Sequence, residues 1–122
     1  MNKKILIIED DKMLREMYEM KLKLAGLDIE SAVDGEEGME KMKKEKPAVV
    51  VTDLIMPKKN GFDVLEEMNK DDDLKNIPVV VLSNLGQDSD VDLAKKLGAK
   101  DYLIKANIQL EGLVNKVKEY LV

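Results

Sequence analysis

The sequence predicts an α/β fold: a three-layer α/β/α sandwich around a five-stranded parallel sheet of order 2-1-3-4-5. Two observations carry this. Apolar runs such as Ile5-Leu6-Ile7-Ile8 and Val49-Val50-Val51 show no polar alternation, the mark of strands buried on both faces. Five strand-like segments also alternate with five helix-like ones, and that alternation gives parallel strands joined by right-handed crossovers.

The elements follow in order. Lys4 to Ile8 reads as a buried strand and runs into Glu9-Asp10-Asp11. A helix is expected from Lys12 to Ala25, with Leu14, Met17, Tyr18 and Leu24 at helical spacing and Gly26 as its stop. Leu27 to Ala32 alternates apolar and polar, as a strand near the sheet edge does. Asp34-Gly35 turns the chain into a short helix with Gly35, Gly38, Met39 and Met42 on one face, and Glu45-Lys46-Pro47 ends it. The methionines there are core filler.

Val49 to Thr52 is the third strand and leads into Asp53. Asn60-Gly61 opens a helix with Gly61, Val64, Leu65 and Met68 on one side, and Lys70 to Asn76 reads as a polar loop. Pro78 to Leu82 is the fourth strand and ends in Ser83. After the loop Asn84-Leu85-Gly86-Gln87, Asp88 or Ser89 is the expected cap of a helix that reaches Leu97 and stops at Gly98. Asp101 to Ile104 is the fifth strand and ends in Lys105. The last helix carries Leu110, Leu113, Val114, Val117 and Leu121 on one stripe. With no linker, repeat or second core, residues 1–122 read as a single domain.

Composition removes whole classes of chemistry. The chain has no cysteine, so disulfides and thiolate sites are excluded, which fits a reducing, cytoplasmic setting. It has no histidine, which excludes Ser/His and Cys/His triads and imidazole-ligated zinc, and means it is not itself a phosphohistidine donor. A net charge of −5 argues against direct nucleic-acid binding and against an anionic membrane surface. No apolar run approaches the ~20 residues needed to span a bilayer, and the run after Met1-Asn2-Lys3-Lys4 ends at Glu9, too soon for a signal peptide.

What remains is a set of polar residues at strand ends: Glu9 and Asp10 after the first strand, Asp53 after the third, Ser83 after the fourth, Lys105 after the fifth. In open parallel sheets, chemistry gathers at the carboxyl ends of the strands. Two carboxylates ~4 Å apart repel by roughly 1–4 kcal/mol between effective dielectrics of 80 and 20. Such a cluster is tolerated when a cation sits in it or when one member takes up a proton, and oxygen-only ligands select Mg²⁺, Mn²⁺ or Ca²⁺. An ammonium and a hydroxyl opposite suit phosphate oxygens, and aspartate is an attested phosphoryl nucleophile. Phosphoryl transfer onto Asp53 is the reading that uses all of them.

These residues resemble a CheY-like receiver domain of two-component response regulators over essentially the whole chain, a flavodoxin-like fold. The resemblance rests on Glu9-Asp10, on Asp53-Leu54-Ile55-Met56-Pro57 followed by Gly61, and on Ser83, Tyr102 and Lys105. It implies that Asp53 is the phosphoacceptor, with Lys105 and Ser83 assisting. It implies Mg²⁺ or Mn²⁺ held by Asp10, Asp53 and the backbone carbonyl of Ile55, with Glu9 acting through water. The donor it implies is a histidine kinase or histidine phosphotransfer protein, and the domain catalyses its own phosphorylation and autodephosphorylation. It further implies that Ser83 and Tyr102 switch the face formed by the fourth helix, fifth strand and fifth helix. Output is then by contact with a downstream protein or an output domain outside the chain.

There are departures. Ala106 follows Lys105 where the family usually has proline, which leaves the geometry of that loop open. Asn84 stands where the family favours a very small residue and either crowds the phosphate entrance or hydrogen-bonds to it. Ile55 and Leu85 are apolar and cannot orient a water, so a long-lived aspartyl-phosphate is expected. Two rivals remain at this level: a receiver-like module that binds without phosphorylation, and a haloacid-dehalogenase-like aspartyl phosphatase. The second needs an aspartate where Ile55 stands.

Overall fold

The computed structural model describes residues 3–121; Met1, Asn2 and Val122, which the single-domain expectation includes, lie outside them. Strands and helices alternate as β1 (Lys4–Ile8), α1 (Lys12–Leu24), β2 (Asp28–Ala32), α2 (Gly35–Glu45), β3 (Val49–Thr52), α3 (Gly61–Asn69), β4 (Val79–Ser83), α4 (Asp88–Lys96), β5 (Asp101–Ile104) and α5 (Leu110–Glu119). The sheet is parallel throughout, in the order β2-β1-β3-β4-β5. Among the described residues, no helix is long and apolar enough to cross a membrane.

Side chains of a strand alternate between faces, so the apolar runs supply two cores at once. Ile5, Ile7, Val49, Val51, Val80 and Leu82 pack with Tyr18 and Leu22 of α1 and Leu113, Val114 and Val117 of α5. Leu6, Ile8, Val50, Val79 and Val81 pack on the other face with Met39 and Met42 of α2, Val64, Leu65 and Met68 of α3, and Ala94 of α4. Each large side chain fully buried this way contributes about 1.5–3 kcal/mol.

Three expectations need correction. Leu24 is not a core residue of α1: it is 80% exposed, and Leu22 takes the buried position. Tyr18 and Leu22 are four residues apart and share a face, whereas Leu24, two residues on, falls about 200° round the helix from Leu22. The stretch from Lys70 to Asn76 is more than a polar loop. Its turns drop Leu74 into the core beside α3, where it is fully buried. Finally, α4 is capped by neither Asp88 nor Ser89. Its N-cap is Gln87, without a side-chain cap bond, and Asp88 and Asp90 sit in the first turn, where negative charge suits the helix dipole.

The connection between β3 and α3 is pinned by two glycines. A Cβ on Gly61 would lie 2.3 Å from the Asp53 carbonyl oxygen, and one on Gly35 would lie 2.0 Å from that of Lys59. Only a residue without a side chain lets the starts of α3 and α2 lie directly on this loop. Gly35→Ala is therefore expected to lower unfolding stability in urea by about 1–3 kcal/mol, because backbone rather than a side-chain tip must yield. Gly86→Ala, whose Cβ would meet nothing nearer than 3.7 Å, is expected to stay within about 0.5 kcal/mol of the parent.

Candidate functional site

The register of the sheet decides which polar residues meet. Ile8 pairs with Thr52, so the next residues, Glu9 and Asp53, leave the sheet side by side; Ser83 pairs with Ile104, so Lys105 follows immediately. The parallel ladder continues one step past the strands: the Asp53 N–H donates to Ile8 O and the Lys105 N–H to Ser83 O. Glu9, Asp53 and Lys105 each continue the alternation of the residues that face α1 and α5. Ser83 continues the alternation that faces α2, α3 and α4, the side on which Tyr102 packs.

The convergence is close. Lys105 Nζ lies 2.6 Å from Glu9 Oε1 and 2.7 Å from Asp53 Oδ2, and the three side chains are only 10%, 3% and 9% exposed. Asp53 Oδ1 accepts from the Leu54 N–H at 2.6 Å and from the Ile55 N–H at 3.4 Å. Glu9 Oε2 accepts from the Asp11 N–H at 3.1 Å. Glu9, Asp10 and Asp53 bring carboxylate oxygens within 4.8 Å of one another. These groups line an open cleft of about 370 Å³ together with Asp11, Leu14, Ile55, Ser83, Asn84 and Leu85. Every polar residue singled out at the strand ends reaches this one place.

Burial sets the electrostatics. It pushes the Glu9 carboxyl above the ordinary carboxylate range, more than the hydrogen bonds from Lys105 and the Asp11 N–H pull it down. Burial works against the Lys105 charge too, but the hydrogen bonds to Asp53 and Glu9 outweigh it and hold the ammonium above its usual value. Asp11 stands aside from the cluster: it caps α1 by accepting from the Leu14 N–H at 3.0 Å.

Two loops form the opposite wall. Ser83 is buried, and its Oγ accepts from the Leu85 N–H at 3.2 Å. The Tyr102 hydroxyl donates to the Leu85 carbonyl, and burial raises that phenol above its ordinary value. Asn84 is a structural tie that its sequence position does not announce: its Oδ1 accepts from the Ala106 N–H at 3.1 Å. A proline at that position would have no N–H to give, so the departure after Lys105 and the departure after Ser83 answer each other. The peptide bond between Lys105 and Ala106 is trans.

A family model described as the response regulator receiver domain matches residues 5–118. The probable transcriptional regulator ycf27 of Porphyridium aerugineum is 41% identical over 102 residues, which is 84% of this chain and 41% of that protein. The DNA-binding dual master transcriptional regulator RpaA of Synechocystis sp. is 35% identical over 118 residues, 97% of this chain and 48% of that protein. The chain thus spans less than half the length of these curated relatives. Among solved structures, the chemotaxis protein CheY4 of Vibrio cholerae matches with a TM-score of 0.90 and 26% identity, over 98% of this chain and 99% of that one.

The raised Glu9 carboxyl has a signed consequence. A group that holds its proton more tightly when folded stabilises the fold fully below its unfolded value, here 4.5, and loses that contribution as pH rises through the higher folded value. Without divalent cations, Glu9→Gln is expected to match the parent in acid and to gain on it as pH rises to neutrality, read by urea unfolding across that range. A variant that loses ground on the parent toward neutral pH would contradict this.

Proposed function

The chain belongs to the response regulator receiver family, whose standard function is to accept a phosphoryl group, and we propose that in this chain Asp53 is the acceptor. One observation carries the assignment: the Lys105 ammonium, from the far end of the sheet, lies 2.7 Å from Asp53 Oδ2 and 2.6 Å from Glu9 Oε1. The donor is a phosphohistidine on a histidine kinase or histidine phosphotransfer protein. An Asp53 carboxylate oxygen forms the new O–P bond as the N–P bond to the imidazole breaks, and the imidazole nitrogen is protonated from solvent.

The chain's own residues position and neutralise. The Leu54 N–H and Lys105 fix the two Asp53 oxygens before transfer. Afterwards Lys105 faces the phosphoryl oxygens, and the Ser83 hydroxyl gives up the Leu85 N–H and donates to another. The all-oxygen donor set of Glu9, Asp10 and Asp53 fits Mg²⁺ or Mn²⁺. Asp10, Asp53 and the Ile55 carbonyl would hold it directly. Glu9 would act on it through water. When bound, the cation neutralises charge on the phosphoryl oxygens. In autodephosphorylation an in-line water adds to phosphorus, the O–P bond to Asp53 breaks and inorganic phosphate leaves.

The switch runs through one residue. Leu85 gives its N–H to Ser83 and takes the Tyr102 hydroxyl on its carbonyl. Movement of Ser83 toward a phosphoryl group therefore releases Tyr102 and remodels the face of α4, β5 and α5. That face signals to a protein partner or to an output domain of a longer protein; RpaA is itself described as DNA-binding. The setting is the cytoplasm, where such kinases deliver their phosphoryl groups.

With Mg²⁺ and acetyl phosphate, intact-mass spectrometry is expected to show one added phosphoryl group that Asp53→Asn and a metal chelator each abolish. Undiminished labelling of Asp53→Asn would end the assignment. Ile55→Asn supplies an amide able to hold the attacking water. A hydrogen bond worth about 1 kcal/mol corresponds to roughly fivefold in rate, so the phosphoryl lifetime is expected to shorten by about that factor. An unchanged lifetime would contradict it.

A further inference from the structure

Helix α1 has a second apolar side that the fold leaves uncovered. Leu14, Tyr18 and Leu22 face the sheet. Met13, Met17, Met20 and Leu24 follow one another at steps of four, three and four on a different side, the spacing of a helix-pairing seam. Met13, Met20 and Leu24 are 75%, 59% and 80% exposed, and Met17 is half-buried. They are three of the six large apolar side chains exposed among the described residues. Apolar residues scattered singly are ordinary on a surface, but half of them gathered on one stripe of one helix mark a contact.

The charges beside the stripe select the occupant. Glu16 and Lys23 lie on one flank, seven residues apart, in equivalent positions of the repeat. Lys23 has no ion pair among the described residues, and that of Glu16 is an exposed contact with Lys12 at 4.0 Å. On the other flank, Lys21 is already engaged by Glu111 at 2.6 Å. When two such helices lie antiparallel about a two-fold axis, Met13 meets Leu24 and Met17 meets Met20. Glu16 of each copy then comes beside Lys23 of the other, so the pattern complements itself.

We infer that α1 is a self-association surface, on which two copies of this chain pair antiparallel through Met13, Met17, Met20 and Leu24 with Glu16 and Lys23 exchanging ion pairs. The seam from Met13 to Leu24 is about 17 Å long at 1.5 Å per residue. That is short for the ~800 Å² per partner of a standard interface, so the pair is weak and forms with rising concentration. Methionine side chains, which adapt to irregular surfaces, suit such a contact.

Sedimentation equilibrium of the intact chain, from micromolar to millimolar concentration, reads the pairing directly. The parent is expected to pass reversibly from monomer to dimer, and Met20→Lys to remain monomeric throughout. Leu24→Lys reads the same seam should Met20→Lys fail to fold, which far-ultraviolet circular dichroism reports. Glu16→Lys and Lys23→Glu are each expected to weaken dimerisation several-fold by setting like charges against each other. Together in one chain they are expected to restore it. A parent that stays monomeric overturns the inference. So does a dimer that survives Met20→Lys and Leu24→Lys, or a double exchange no better than the single ones. If the chain stays monomeric and the stripe is covered only when a phosphohistidine protein is added, the surface belongs to that protein and the inference fails.

Discussion

The Lys105 ammonium between the carboxylates of Glu9 and Asp53 is the contact on which the remaining geometry depends. One cation serves a cluster of three acidic side chains, two of them buried. Removing that shared ammonium would leave the buried Glu9 and Asp53 carboxylates uncompensated, at a cost of about 3–5 kcal/mol. The pair also spans the sheet: Glu9 follows β1 and Lys105 follows β5, with β3 and β4 between them. Slipping any of these strands by one residue would turn its last side chain to the other face. The register that buries the valines is therefore the same register that assembles the cleft.

That dependence explains what could be read from the sequence. Apolar runs ending in Glu9, Asp53, Ser83 and Lys105 gave the strands, their order and the edge at which the polar residues meet. All of them do meet there. Harder to read were the places where a pattern has two solutions. The apolar residues of α1 lie on two sides, and spacing alone does not say that Leu22 faces the sheet and Leu24 the solvent. Leu74 is a single anchor among charged neighbours, with no periodicity to betray it. The Asn84 tie to Ala106 depends on the relative height of two loops, which no local pattern records.

Packing strength is uneven around the cleft. On one side, Leu54, Val64 and Leu65 are buried, and the Gly61 N–H donates to Leu54 O at 3.0 Å. Asn60 and Asp63 close a reciprocal cap at the start of α3. On the other side, α4 buries only Ala94 and begins without a side-chain cap. Elements held by few buried contacts open at lower free energy than those held by many. The loop from Ser83 to Gln87 connects the Ser83 hydroxyl to this loosely held helix, and Tyr102 lies across it.

The close approach of Gly35 to the Lys59 carbonyl acquires a meaning from this asymmetry. A jaw closes usefully only against an anvil, and the segment after Asp53, clamped beneath α2 and α3, is the anvil. In the proposed switch, displacement would then fall on the flank of α4 and β5 rather than on this segment. A protein docked over α2 and α3 would touch the same surface before and after the chemistry and would be deaf to it.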